Sequence, residues 1–167
     1  MSSGINLGRR RFLTGRIVAR ASAIRPPWTT EETIASSCVH CEACVTACPQ
    51  GILQLDADRL PAVDFSGAEC TFCGACAAAC PEPVFAEQNS AAFFHIAAIG
   101  EACFAARGIV CQSCGDACPE NAIRFKARIG EPAQPVLSED LCTGCGACIV
   151  TCPTSAITVS TRESRHA

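Results

Sequence analysis

Two tandem α+β halves behind a basic N-terminal arm are the architecture this sequence predicts, on three observations. Cysteine supplies 16 of the 167 residues. Those cysteines fall into four runs of similar spacing, and each run is followed by a short apolar segment of the kind that forms a β-strand. A chain this rich in Cys ties its thiols together with disulfides in an oxidising compartment or uses them on metal in a reducing one. The spacing decides between the two.

Residues 1–30 form the arm. They hold six arginines (Arg9, Arg10, Arg11, Arg16, Arg20, Arg25) and no acid, which leaves seven basic and sixteen acidic residues, a net −9, for residues 31–167. With an overall charge of −3 the chain as a whole is not built to bind a phosphate backbone, and one Trp, no Tyr and 5% aromatic residues supply no base-stacking surface. No nucleic-acid partner is expected. The stretch Arg9-Arg10-Arg11-Phe12-Leu13 matches the core of a twin-arginine export signal. A cleavable signal also needs an apolar run of roughly 7–15 residues, and here Arg16 and Arg20 bracket nothing longer than Ile17-Val18-Ala19. The chain is therefore expected to stay unexported. The arm reads as a flexible tail, or as a docking peptide in which Arg9, Arg10, Arg11, Phe12 and Leu13 touch a partner and Pro26-Pro27 stops any helix. The most apolar window, Ala91 to Val110, contains Glu101 and Arg107 and is cut by Gly100 and Gly108, so it predicts a linker with a buried strand near Phe93 to Ile96 and no membrane span.

The repeat organises the rest. Cys38-x2-Cys41-x2-Cys44-x3-Cys48-Pro49 recurs as Cys70, Cys73, Cys76, Cys80-Pro81 and as Cys142, Cys145, Cys148, Cys152-Pro153. The remaining copy keeps Cys111, Cys114 and Cys118-Pro119 but has Gly108 where its first Cys belongs, and the nearest spare thiol is Cys103, five residues further upstream. The prolines stand 32, 38 and 34 residues apart, one supersecondary unit per repeat. Strands are expected at Ile52 to Leu55, Val84-Phe85, Ala122 to Phe125 and Ala156 to Val159. A turn at Asp56-Ala57-Asp58-Arg59 leads into Pro61 to Phe65, and a turn over Ile129 to Gln134 leads into Pro135 to Leu137. The chain thus divides into a first half, residues 31–90, and a similar second half, residues 96–160, with two cysteine loops each.

A CxxCxxCxxxCP run is the bacterial iron-sulfur ligand pattern. Three Cys at steps of three wrap three iron corners of a 4Fe-4S cube. The fourth Cys, held by a following Pro with fixed φ and no N–H, leaves the loop in another direction and reaches the cube of the partner run. Applied here, Cys38, Cys41, Cys44 and Cys80 hold one cube and Cys48, Cys70, Cys73 and Cys76 a second. Cys103, Cys111, Cys114 and Cys152 hold a third, and Cys118, Cys142, Cys145 and Cys148 a fourth. All sixteen cysteines are then iron ligands and up to four 4Fe-4S clusters are bound, in two tandem bacterial-type ferredoxin folds of two clusters each. The arrangement in which each run closes its own site stays open. Structural zinc is the competing use, but zinc has no need of a third Cys at step six or of the Pro that ends every run. Cys103 has the alternative role of a small buried apolar residue. His40 reads as a spacer in the first loop and Phe72 as packing that keeps water from its cube. No nucleotide loop, HExxH or paired nucleophile is present, so no enzyme is expected.

The arm Arg9 to Arg16, the segment Ile24-Arg25-Pro26-Pro27-Trp28, the four runs and the displaced Cys103 together resemble the NapF family of ferredoxin-type proteins, from about Arg9 to Val159. That resemblance implies a cytoplasmic accessory protein of the periplasmic nitrate reductase system. It implies as partner the precursor of the catalytic subunit NapA, a molybdenum and 4Fe-4S enzyme met before export, and as role its maturation. An electron-carrying ferredoxin of the same pathway is the other function open to such a chain.

Overall fold

The structure, a computed structural model, describes residues 23–161. Arg9 to Leu13, where partner contacts are expected, lie outside the described residues. Among those described, short helices and short strands alternate around the cysteine loops, and the strands form three separate antiparallel pairs.

The first helix, α1 (Glu31–Ser37), was not expected from the sequence. Its start is nevertheless chemically explicit: the Thr30 hydroxyl accepts from the Thr33 N–H, the Thr33 hydroxyl accepts from the Thr30 N–H, and Glu31 and Glu32 sit at the positive end of the helix. The helix buries Ile34 to 1% exposure and delivers Cys38 as its last-turn cap. The other helices are the cysteine loops themselves: α2 (Ala43–Ala47), α3 (Ala75–Ala79), α4 (Ser113–Asp116) and α5 (Ala147–Val150). Alanine favours the turns of α2, α3 and α5, and the Pro after the fourth Cys of each run keeps that Cys off the helical path. Thus α2 is capped by Cys48 at ψ 110° and α3 by Cys80 at ψ 123°.

In the first half β1 (Leu53–Leu55) and β2 (Pro61–Val63) form a hairpin around the expected turn, in which Asp56 Oδ1 accepts from the N–H groups of Asp58 and Leu60. In the second half β3 (His95–Ile99) pairs with β6 (Ile157–Thr161), and β4 (Ile123–Arg128) pairs with β5 (Glu131–Leu137). The β4–β5 hairpin is longer than expected, with only Ile129 and Gly130, at φ +76°, left at its tip. Pro132 was expected in the turn and Pro135 at the start of the strand, and β5 includes both: it pairs on one side only, and an edge strand tolerates missing N–H donors.

The two halves differ, against the expectation of similarity. No strand forms at Val84-Phe85: the segment turns, with Val84 buried at 3% exposure, because Pro81 and Pro83 deny it a ladder. Residues 23–30, read from the sequence as part of the arm, supply the missing bonds. Val63 N–H donates to Ile24 O at 2.7 Å, Trp28 N–H to Ala92 O at 2.8 Å, and Ala86 N–H to Trp28 O at 2.7 Å. Arg25 fastens the segment by donating to Glu31, to Asp56 and to the Pro61 carbonyl. Pro26, Pro27, Trp28 and Thr29 are buried. One apolar cluster gathers Ile52, Leu53, Val63, Phe65, Cys70, Cys76 and Phe93, and a second gathers Ala97, Cys114, Ile123, Cys148 and Ile157. Ile149 and Val159 of the second half pack on the first cluster, so the halves share a core.

Candidate metal centres

Four hollows open beside the loops, and each is walled by four cysteines. The first has Cys38, Cys41, Cys44 and Cys80, and the second Cys48, Cys70, Cys73 and Cys76. The third has Cys103, Cys111, Cys114 and Cys152, and the fourth Cys118, Cys142, Cys145 and Cys148. In each the fourth thiol comes from the neighbouring run. The remaining walls are largely apolar: Leu55 and Val84 in the first, Trp28 and Phe72 in the second, Phe104 and Phe125 in the third, Ile123 and Leu137 in the fourth.

Local backbone geometry explains how two steps of three residues curl three of the loops. The second residue after the first Cys and the residue after the second Cys are left-handed in three loops: His40 (φ 56°) and Glu42 (φ 64°), Phe72 (φ 54°) and Gly74 (φ 73°), Gly144 (φ 76°) and Gly146 (φ 87°). Non-glycine residues rarely adopt this conformation, so the tight wrap around the hollow is what holds them there. Cys103 is carried to the third hollow from above: its N–H donates to Gly100 O, and the 3-10 turn Ala105–Arg107 with Gly108 at φ 81° takes up the extra residues before Cys111.

The donor set fits an iron-sulfur cube. Each hollow offers four cysteine sulfurs as its donors, one for each iron corner. A cube keeps its four thiolates apart, one on each corner. In the wall of the second hollow, Trp28 Nε1 is buried with no acceptor among the described residues, a donor suited to a sulfur. Burial, reinforced by neighbouring thiols, pushes Cys70, Cys76 and Cys114 up to about 11 and Cys148 up to about 12. Such thiols ionise near neutral pH only beside a cationic core. Cys152 differs: burial alone would raise it, but the Thr154 hydroxyl and the N–H groups of Thr154, Ala156 and Ile157 hold it below the ordinary thiol value. Cys118 accepts the equivalent bond from Ala122 N–H at 3.3 Å.

His40 lines the first hollow, and its Nδ1 is 3.1 Å from Arg59 O, while Arg59 pairs with Glu42. Phe72 packs edge-on to Trp28 at 6.4 Å and lies 5.9 Å from Phe93, in the wall where packing was expected. Phe65 is marked in the sequence only as the end of the expected Pro61 to Phe65 segment, and His95 is not marked at all. They matter through contacts between distant parts of the chain, which no local pattern encodes.

Four thiol-walled hollows of this kind define an iron-sulfur protein of the ferredoxin class. The profile of the 4Fe-4S dicluster domain matches residues 37–84 and again 108–164, one match in each half. The chain is 43% identical over 155 residues to the ferredoxin-type protein NapF of Escherichia coli strain K12, covering 92% of this chain and 94% of that one. To NapF of Haemophilus influenzae it is 41% identical over 166 residues, covering 93% and 94%. The methylamine utilization ferredoxin-type protein MauM of Paracoccus denitrificans is more distant, 34% identical over 79% of this chain and 67% of its own. The chain belongs to the NapF family of ferredoxin-type proteins and binds 4Fe-4S clusters. Among the described residues no helix is long and apolar enough to cross a membrane.

Proposed function

We propose that the protein is a cytoplasmic accessory factor which binds the NapA precursor through its basic arm and assists its maturation before export, and that it catalyses no reaction of its own. The observation that carries this reading is the likeness to NapF over more than nine-tenths of both chains. The sixteen cysteines act as iron ligands in the four sets that wall the hollows, within two tandem bacterial-type ferredoxin folds of about residues 31–90 and 96–160. The clusters supply one-electron chemistry and transferable iron and sulfide. The residues supply thiolates, apolar walls that exclude water, and N–H donors to sulfur such as those of Ala122 and Ala156.

The arm is suited to a client by charge. Surface ion pairs with the acidic body contribute only about 0–1 kcal/mol each and are screened by salt, so the five arginines that precede residue 23 (Arg9, Arg10, Arg11, Arg16 and Arg20) can exchange partners, whereas Arg25 is held by Glu31 and Asp56. The test is capture of the NapA precursor by the intact chain and by a chain lacking residues 1–22, with iron and sulfide measured in both. The proposal expects unchanged cluster content and weakened capture on truncation; equal capture moves the contact to the ferredoxin halves. The electron-carrier reading has its own support in the presence of up to four clusters on one chain. It requires electron exchange with mature NapA, whereas the accessory factor holds the immature subunit.

A further inference from the structure

The loop Cys142–Cys148 belongs to the second half but is held by Cys70 and Phe65 of the first, together with His95 at the start of β3. Cys70 N–H donates to Cys145 O at 2.8 Å, the His95 ring nitrogen Nε2 lies 2.8 Å from Gly144 O, and the Phe65 ring lies against Gly146. Phe65 and His95 in turn stack edge-on at 5.9 Å. The loop's own sequence is cut to this contact. Both left-handed positions are glycine here, whereas the first loop places His40 and Glu42, and the second loop Phe72, at equivalent positions with similar φ. A Cβ on Gly144 would lie 2.8 Å from His95 O, and one on Gly146 would overlap the Phe65 ring. The equivalent Gly74 would meet only the end of the exposed Gln88 side chain.

We propose that the two halves are joined through their ligand loops, with the Cys70–Cys145 hydrogen bond as the bridge, so that the four centres form a single row in the order first, second, fourth, third. This rests on the ligand sets given above. Within the first half, α2 carries Cys44 of the first hollow and is capped by Cys48 of the second, while α3 carries Cys76 of the second and is capped by Cys80 of the first, which makes those two neighbours. Cys114 on α4 with Cys118 two residues past its end, and Cys148 on α5 with Cys152 two residues past its end, link the third and fourth in the same way. Between halves the bridge runs from a ligand of the second centre to a ligand of the fourth through those two residues' own covalent bonds and one hydrogen bond. The protein is therefore one continuous row of centres, with the first and third at its ends, and not two independent pairs.

The experiment uses the full chain with Cys38→Ala and Cys41→Ala to remove the first centre and Cys103→Ala and Cys111→Ala to remove the third. Iron and sulfide should fall by half, and the dithionite-reduced protein should give an electron paramagnetic resonance spectrum split by interaction between two centres that lie in different halves. Loss of half the iron with two simple, non-interacting signals overturns the row. Loss of any other proportion shows that the ligand sets are wrong and removes the row with them. A second comparison keeps all sixteen cysteines: Gly146→Ala should weaken one interaction in the reduced spectrum and Gly74→Ala should not, and Phe65→Ala added to Gly146→Ala should restore it. Equal spectra for the Gly146→Ala and Gly74→Ala proteins overturn the junction.

Discussion

Replacing Cys103 by Ala separates its two possible roles cleanly, because alanine keeps a small apolar side chain and removes only the sulfur. Cys103 is half-buried beside Cys111, Cys114 and Cys152. If it only packed, the loss would be that of one heavy atom from a partly exposed site, below about 0.8 kcal/mol by the usual value for one buried methylene, and the metal content would not change. As the fourth thiolate of the third centre its loss leaves one corner of a cube without a ligand. One site in four is then emptied or degraded, so iron and acid-labile sulfide should each fall by up to about a quarter relative to the unsubstituted chain. The assay is iron and sulfide per chain after anaerobic purification, with Mössbauer spectroscopy to show whether one centre is lost or converted. Full content with an unchanged spectrum would refute the ligand role and leave the third hollow one thiolate short.

Cys80→Ser should perturb the same centre as Cys38→Ser and spare the one walled by Cys70, Cys73 and Cys76; the opposite grouping in a centre-by-centre spectrum shows that each run closes its own site. Ile34→Ala, at 1% exposure, should destabilise the first half by about 2–5 kcal/mol and Ile34→Val by at most about 1.5 kcal/mol, read as a lowered temperature of cluster bleaching. In the metal-free chain alkylation follows the thiolate fraction, so Cys152, held below the ordinary thiol value, should be modified faster at pH 7.5 than Cys148, pushed up to about 12. Raising the pH should narrow that difference, because Cys148 gains thiolate while Cys152 saturates; mapping by mass spectrometry checks both order and trend.

The gathering of the sixteen cysteines around four hollows follows from their spacing in the sequence and from the Pro after each fourth Cys, which turns the chain toward the neighbouring run. Cys103 could be placed by counting thiols, with no knowledge of the 3-10 turn that carries it. The β1–β2 turn was readable from Asp56, whose carboxylate makes the turn's hydrogen bonds locally. Val84-Phe85 was misread because a two-residue apolar segment is a strand only if another edge meets it, and between two prolines none does. The cap of α1 was present as Thr30-x-x-Thr33 with two following acids but lacked the usual Glu at the third position. The packing of Trp28, Phe65 and His95 depends on surfaces brought together from opposite ends of the chain, and no window of sequence contains both partners.

The unequal closure of the halves sets an order in time. The first half closes its lead-in segment within residues 24–92, since that segment bonds to Val63, Ala86 and Ala92, and leaves the Cys70 N–H to await Cys145. The second half cannot close until Ile157–Thr161 is available to pair with His95–Ile99. At roughly 5–20 residues per second on the ribosome, the intervening stretch takes on the order of 3–14 s. For that interval the first eight thiols sit in a nearly finished fold while the loop that will cover Cys70 and Phe65 has not yet arrived. Delivery of iron and sulfide to the nascent chain therefore meets the first half first, while the Cys70 N–H still lacks its Cys145 acceptor.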